Sequence, residues 1–173
     1  MNSQDLRVTS ISYNYRNFVI FTGVPLAAND YLINNGKFIV SVKTKINALP
    51  VEPSIGQHWH TQGDRKITDL DSNGFQLKQH IYENPKIIQC ILPETGDQLI
   101  TFIAANKDFK GIGESKAREL WSVFGDKIYA IATHRSLENE LLLQSILTKT
   151  SIDSLYEGFI KYSNLSACYW MAK

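Results

Sequence analysis

The chain has 173 residues, 43% apolar and 20% charged, which suits one medium domain or two small ones and excludes a disordered chain. Lys plus Arg number 18 against 17 for Asp plus Glu. A polybasic tail and an acidic mimic are both excluded, so any nucleic-acid contact must be local.

Two cysteines, Cys90 and Cys168, are too few for a disulfide framework and fit no zinc spacing. The start, Met1-Asn2-Ser3-Gln4-Asp5, has no basic or apolar leader region, and no stretch approaches a membrane span. A cytoplasmic protein without a membrane partner is expected. The sequence carries no G-x-x-x-x-G-K-[ST], G-x-G-x-x-G, H-E-x-x-H or G-x-S-x-G. No nucleotide cofactor, metal or catalytic residue is therefore expected.

Up to about Pro93 the pattern is that of strands. Val8, Ile11, Tyr13 and Tyr15 alternate, and Phe18 to Phe21 form a β-branched and aromatic run closed by Gly23 and Pro25. Lys37 to Ile46 alternate apolar and polar after the turn residues Asn34, Asn35 and Gly36. Gln57 to Thr61 alternate again, Gly74 to Tyr82 follow the turn 71–74, and Lys86 to Leu92 precede Pro93. Residues 47–56 read as a loop. Five or six strands without a helical run predict a small antiparallel sheet or barrel.

After Glu94-Thr95-Gly96 the period becomes helical. Leu99, Ile100, Phe102 and Ile103 share one face; Ala117, Leu120, Trp121 and Phe124 share another, stopped by Gly125. Short helices are expected at 128–132, at 137–146 with Leu141 to Leu143, and around Ile152, Leu155, Phe159 and Ile160. These predict a cluster of short helices. Trp121 is expected in its core.

The run Phe109-Lys110-Gly111-Ile112-Gly113-Glu114-Ser115-Lys116-Ala117-Arg118-Glu119-Leu120 carries the chemistry. Gly111 and Gly113 permit a tight turn and close approach of a partner, and Ile112 plugs the turn onto its helices. Ala117 is small where helices cross, and Leu120 anchors the second helix. Free N–H groups at the helix start, flanked by Lys110 and Lys116 with Ser115 as a donor, suit a phosphodiester read through its backbone. A plain turn between helices is the alternative. The spacing of these residues looks like a helix-hairpin-helix motif. A second copy is expected around 144–155, without glycines, where Lys149, Thr150 and Ser151 could touch a backbone or form a solvated loop.

In order, Gln57-x-Trp59-x-x-x-Gly63, Gly74-Phe75-Gln76-Leu77, Leu92-Pro93, Leu99-Ile100-x-Phe102-Ile103, Phe109 to Gly113 and Leu120-Trp121-x-x-Phe124-Gly125 resemble the N-terminal region of RecD-like (RecD/TraA family) DNA helicases. The resemblance covers roughly 6–160 and implies an α+β chain. An OB-like β-barrel over 1–96 would precede a helix-hairpin-helix module over 97–173. In that family these modules precede two RecA-like motor domains that move 5′ to 3′ on single-stranded DNA. The second hairpin lacks its glycines and no motor is present, so helicase activity does not carry over. The chain would be either an excised region of a helicase or a stand-alone protein; the apolar tail 168–173 favours the former.

The expectation is a non-enzymatic, non-sequence-specific DNA-binding accessory region, with DNA and helicase motor domains as partners. Its DNA contacts would be Lys110, Gly111, Ile112, Gly113, Ser115 and Lys116. A protein-interaction module docking a motor or repair subunit, with the hairpin purely structural, is the alternative. A nuclease- or ligase-associated subunit is a third.

Trp59 is a candidate base-stacking platform, or else a core residue with His58 and His60 facing solvent. A metal site from His58, His60, His80 and Cys90 lacks a diagnostic spacing. Lys43, Lys45, Arg65, Lys66 and Lys78 could line a single-strand groove, but Asp64, Asp69 and Asp71 interrupt it, which favours a solvated face.

Overall fold

The computed structural model describes residues 1–13, 16–27, 29–34, 36–72, 74–93 and 96–171, with side chains described except at 72, 75 and 163–171. Tyr15, Asn35, Asn73, Glu94, Thr95 and the side chains of the 168–173 tail lie outside the described residues. The chain forms two compact units, Met1–Cys90 and Ile91–Lys173. The boundary precedes the expected one at 96 because Pro93 belongs to the helical unit. It is buried there, and its carbonyl accepts a 2.7 Å bond from the Tyr129 hydroxyl.

The first unit holds β1 (Asn2–Tyr13), β2 (Phe18–Pro25), α1 (Asp30–Ile33), β3 (Phe38–Lys45), β4 (His58–Gly63), β5 (Arg65–Ser72) and β6 (Phe75–Glu83), with β7 (Ile87–Ile91) closing it. The strands make one seven-stranded sheet in the order β5-β6-β3-β2-β1-β4-β7. Most pairs are antiparallel, but β3 and β6 run parallel, Val40 opposite His80.

The expected antiparallel sheet is therefore a mixed one. The chain crosses through 46–57, β4 and β5 before β6 returns in the direction of β3, which a tight hairpin could not do. Of the closed or nearly closed barrel expected, the closed form is corrected: β5 and β7 are edges, so among the described residues no ladder closes the sheet. Only Asp64 separates β4 from β5, yet they stand near opposite ends of the strand order, so the sheet curls.

Two elements escaped the sequence pattern. β5 has little alternation because an edge strand carries charges, here Lys66, Asp69 and Asp71. α1 is a four-residue helix in a region expected to hold none.

Leu6, Val8, Val19, Phe21, Val40, Val42, Trp59 and Tyr82 form the core of this unit. β2 alternates half-buried and buried residues along its length, as a strand with one face on the core must.

The helical unit comprises α2 (Gly96–Ala105), a 3-10 turn at Lys107–Phe109, α3 (Glu114–Phe124), α4 (Lys127–Thr133), α5 (Leu137–Leu143) and α6 (Lys149–Met171). Leu99, Ile100, Phe102 and Ile103 are all buried, and α3 stops at Gly125, whose φ is +55°. Trp121 is only half-buried, lying across Gly96, where a Cβ would meet the indole at 2.2 Å.

The expectation of short helices alone is corrected by α6, which runs 23 residues. Its buried stripe of Ile152, Leu155, Tyr156, Phe159 and Tyr162 keeps helical period over several turns. Ile160, off that stripe, is half-exposed. α5 ends before the expected Ile146, and Leu141 and Leu142 point outward.

Candidate nucleic-acid interface

The turn between α2 and α3 is built from the core outward. Phe109 is 2% exposed and packs against Phe102, Phe159 and Tyr162. α6 passes beneath it at Gly158, where a Cβ would lie 2.4 Å from the Phe109 ring. The segment just before the turn is pinned by polar groups. Asn106 Oδ1 accepts from the Asp108 N–H at 3.0 Å, and Asn106 Nδ2 donates to the Tyr162 hydroxyl at 2.9 Å. That hydroxyl donates to Asp108 Oδ2 at 2.6 Å, joined by Lys161 Nζ at 3.1 Å.

From this mount the chain turns at Gly111, whose φ of +84° lies in the left-handed region open to glycine. Ile112 is 3% exposed and seals the turn onto the helices, its N–H donating to the Phe109 carbonyl at 3.2 Å. Gly113 caps α3 in an extended conformation, with no side-chain hydrogen bond to the first-turn amides and open space where a Cβ would stand. Lys110, Gly111, Gly113, Ser115 and Lys116 are exposed, while Ala117 and Leu120 are buried. The structure thus brings the proposed contacts together on one turn, with Ile112 inward.

Two acidic groups share this end of α3. Glu114 Oε1 accepts from Arg118 Nη2 at 2.8 Å, and Glu119 lies 3.8 Å from Lys116 Nζ. Both pairs are exposed, where such pairs contribute little to stability.

The turn between α5 and α6 repeats the first at a constant offset. Leu147 matches Ile112, Thr148 matches Gly113, Ile152 matches Ala117 and Leu155 matches Leu120, all but the two caps buried. Ala117 N donates to the Gly113 carbonyl at 3.0 Å, and Ile152 N to the Thr148 carbonyl at 2.9 Å. These bonds pair Thr148 with Gly113 as the residues that precede α6 and α3. The solvated loop expected over 149–151 is corrected: these residues form the first turn of α6, and Ser151 is 7% exposed, its hydroxyl donating to the Gly111 carbonyl at 3.2 Å rather than facing solvent or a ligand. Lys149 and Thr150 stay exposed.

Sequence reasoning missed the roles of Asn106, Asp108, Thr148 and Tyr162. The Asn-x-Asp spacing was a signal for a local turn, and Thr three residues before Ser for a helix cap; nothing local marked Tyr162.

Of the two readings of Trp59, the structure bears out the core residue and not the stacking platform. Trp59 is fully buried, its ring 5.1 Å from Phe21 and its Nε1 donating to Gln57 Oε1 at 3.0 Å, so no face is open to a base. Its histidine neighbours do not both face solvent. His58 is buried, and burial, reinforced by Arg7, lowers its pKa to about 4. His60 is half-buried and holds Asp5 at 2.6 Å.

Among the described residues no cluster of His, Cys, Asp and Glu could hold a metal, so His58, His60, His80 and Cys90 are not gathered. Along the supposed groove, Lys78 pairs with Asp69 and Lys43 lies 5.9 Å over the Phe18 ring. No described helix is long and apolar enough to cross a membrane. Comparison with protein-family models, curated proteins and solved structures finds no match for this chain.

Proposed function

We propose that the chain is a cytoplasmic, non-sequence-specific DNA-binding accessory region of the RecD-like helicase type, not an enzyme by itself, which grips a phosphate backbone through the turn 110–116. The observation that carries this reading is the uncapped start of α3. Gly113 supplies no side-chain acceptor to the first-turn amides, and Lys110, Ser115 and Lys116 stand exposed around them. Amides at a helix start and two ammonium groups suit a phosphodiester and ignore base identity.

The repeated geometry of the two turns supports a tandem helix-hairpin-helix module. For the β unit, the strand order matches an OB-like barrel if β4 and β5 are taken as one strand bent at Asp64. The docking alternative draws on α5, where Leu137 is 74% and Leu141 58% exposed.

The test is fluorescence anisotropy on a labelled oligonucleotide across a salt series. One turn neutralises a couple of phosphates, so log K against log salt should slope about −1 to −2, with Kd no tighter than about 10⁻⁶ M. Lys110→Ala and Lys116→Ala should each weaken binding equally for every sequence and flatten the slope by up to about one unit. Gly113→Val should block backbone approach in a chain that still folds. A folded Lys110/Lys116 double variant that binds like the parent refutes the reading and leaves docking in its place. ATP turnover by the pure chain would equally refute it.

A further inference from the structure

Resting on the phosphate reading of the first turn, we propose that Ser151 is a positioning residue, and that the second turn serves as an internal strap that holds the first one in shape. Three consecutive bonds form the strap. The Ser151 N–H donates to Thr148 Oγ1 at 3.3 Å, Thr148 Oγ1 donates to Ser151 Oγ at 3.1 Å, and Ser151 Oγ donates to the Gly111 carbonyl at 3.2 Å. The Thr148 and Ser151 hydroxyls are thereby both engaged within the protein. Thr148 caps the start of α6 with its own side chain, whereas Gly113 leaves the start of α3 uncapped. The two turns share the bond that opens the following helix and differ in which of them keeps donors for a ligand.

The strap acts on one peptide plane. The Gly111 carbonyl accepts from Ser151 and the next amide, Ile112 N–H, donates to the Phe109 carbonyl, so the plane between Gly111 and Ile112 is fixed at both ends. That plane sets the direction in which Gly113 leads into α3. With glycine on either side of Ile112, little else restrains it. Gly111 is also required for the contact: a Cβ there would stand 2.8 Å from Ser151 Oγ. The other end of the segment is fixed to the same helix through Tyr162 and Asp108. α6 therefore carries the turn from both sides.

Ser151→Ala removes the hydroxyl, and Ser151→Cys fills the site with a somewhat larger thiol that donates only weakly. In the full chain, amide hydrogen exchange should quicken at Ile112 about fivefold in both variants, the equivalent of one hydrogen bond of ordinary net strength. Exchange at Leu155 and in the β unit should not change. Binding to a single-stranded oligonucleotide should weaken several-fold at every salt concentration with the parental slope, because no cation is lost.

Parental exchange and affinity in Ser151→Cys, with only the Ala variant affected, would make the contact one of packing and overturn the proposal. Parental exchange at Ile112 in both variants would overturn it as well. A parent chain that fails to bind DNA at low salt removes the phosphate reading itself, which is a failure distinct from unaltered exchange in a parent that binds.

Discussion

Tyr162→Phe isolates the polar mount of the turn, because phenylalanine keeps the ring against Phe102 and Phe109 and deletes only the hydroxyl. The hydroxyl is buried, accepts from Asn106 Nδ2 at 2.9 Å and donates to Asp108 Oδ2 at 2.6 Å. Its loss strands the Asn106 amide, itself 3% exposed, at about 1–3 kcal/mol, and removes a bond to a carboxylate worth about 1.5–3 kcal/mol. Asp108 retains Lys161, which offsets part of this. A net cost of roughly 3 kcal/mol follows.

For a unit the size of 91–173, each kcal/mol moves Tm by about 4–8 °C, so the helical signal at 222 nm should melt roughly 12–24 °C lower. Lys161→Met deletes the partly exposed ion pair and the ammonium 5.5 Å over the Tyr162 ring, and should cost no more than about 1–2 kcal/mol. If Tyr162→Phe melts no lower than Lys161→Met, the mount does not hold the segment and the reasoning fails.

Acid should weaken the β unit specifically. His58 and His80 are lowered from 6.5 to about 4, chiefly by burial, with Arg7 and Arg65 acting in the same direction and Asp5 opposing at His58. Because the folded values lie below the unfolded one, this stability is complete above about pH 6.5 and is lost as pH falls towards 4; the His58 share is roughly 3 kcal/mol. An unchanged urea midpoint of tryptophan fluorescence between pH 7 and pH 4.5 would sink this.

Gly111→Ala should cost about 1–2 kcal/mol for the left-handed φ plus the overlap with Ser151, and Gly113→Ala less than about 1 kcal/mol; equal costs in chemical denaturation would contradict the assignment. On the proposed function, Glu114→Gln should tighten DNA binding about two- to fivefold in anisotropy by removing a carboxylate beside the proposed phosphate site, and weaker binding would count against that proposal.

The sequence by itself determined what depends on near neighbours. The alternation at Phe38–Lys45 requires a strand, the spacing of Leu99, Ile100, Phe102 and Ile103 requires a helix with one buried face, and Gly125 ends α3 through its left-handed φ. The exposed lysines and glycines around a buried Ile112 were legible in the same way, because turn geometry is written into a few consecutive residues.

Tertiary structure decided what depends on distant partners. Alternation around Trp59 names two faces without saying which is inside; Phe21 and Gln57 bury the indole and remove it from the site. The parallel register of β3 with β6 arises between segments far apart in sequence, and β5 is a strand only because β6 lies beside it. Ser151 looks like a solvated turn residue until α6 brings it against the Gly111 carbonyl. Local spacing fixes backbone preference, whereas burial and hydrogen-bond partners are fixed by packing between elements that the chain order alone does not bring together.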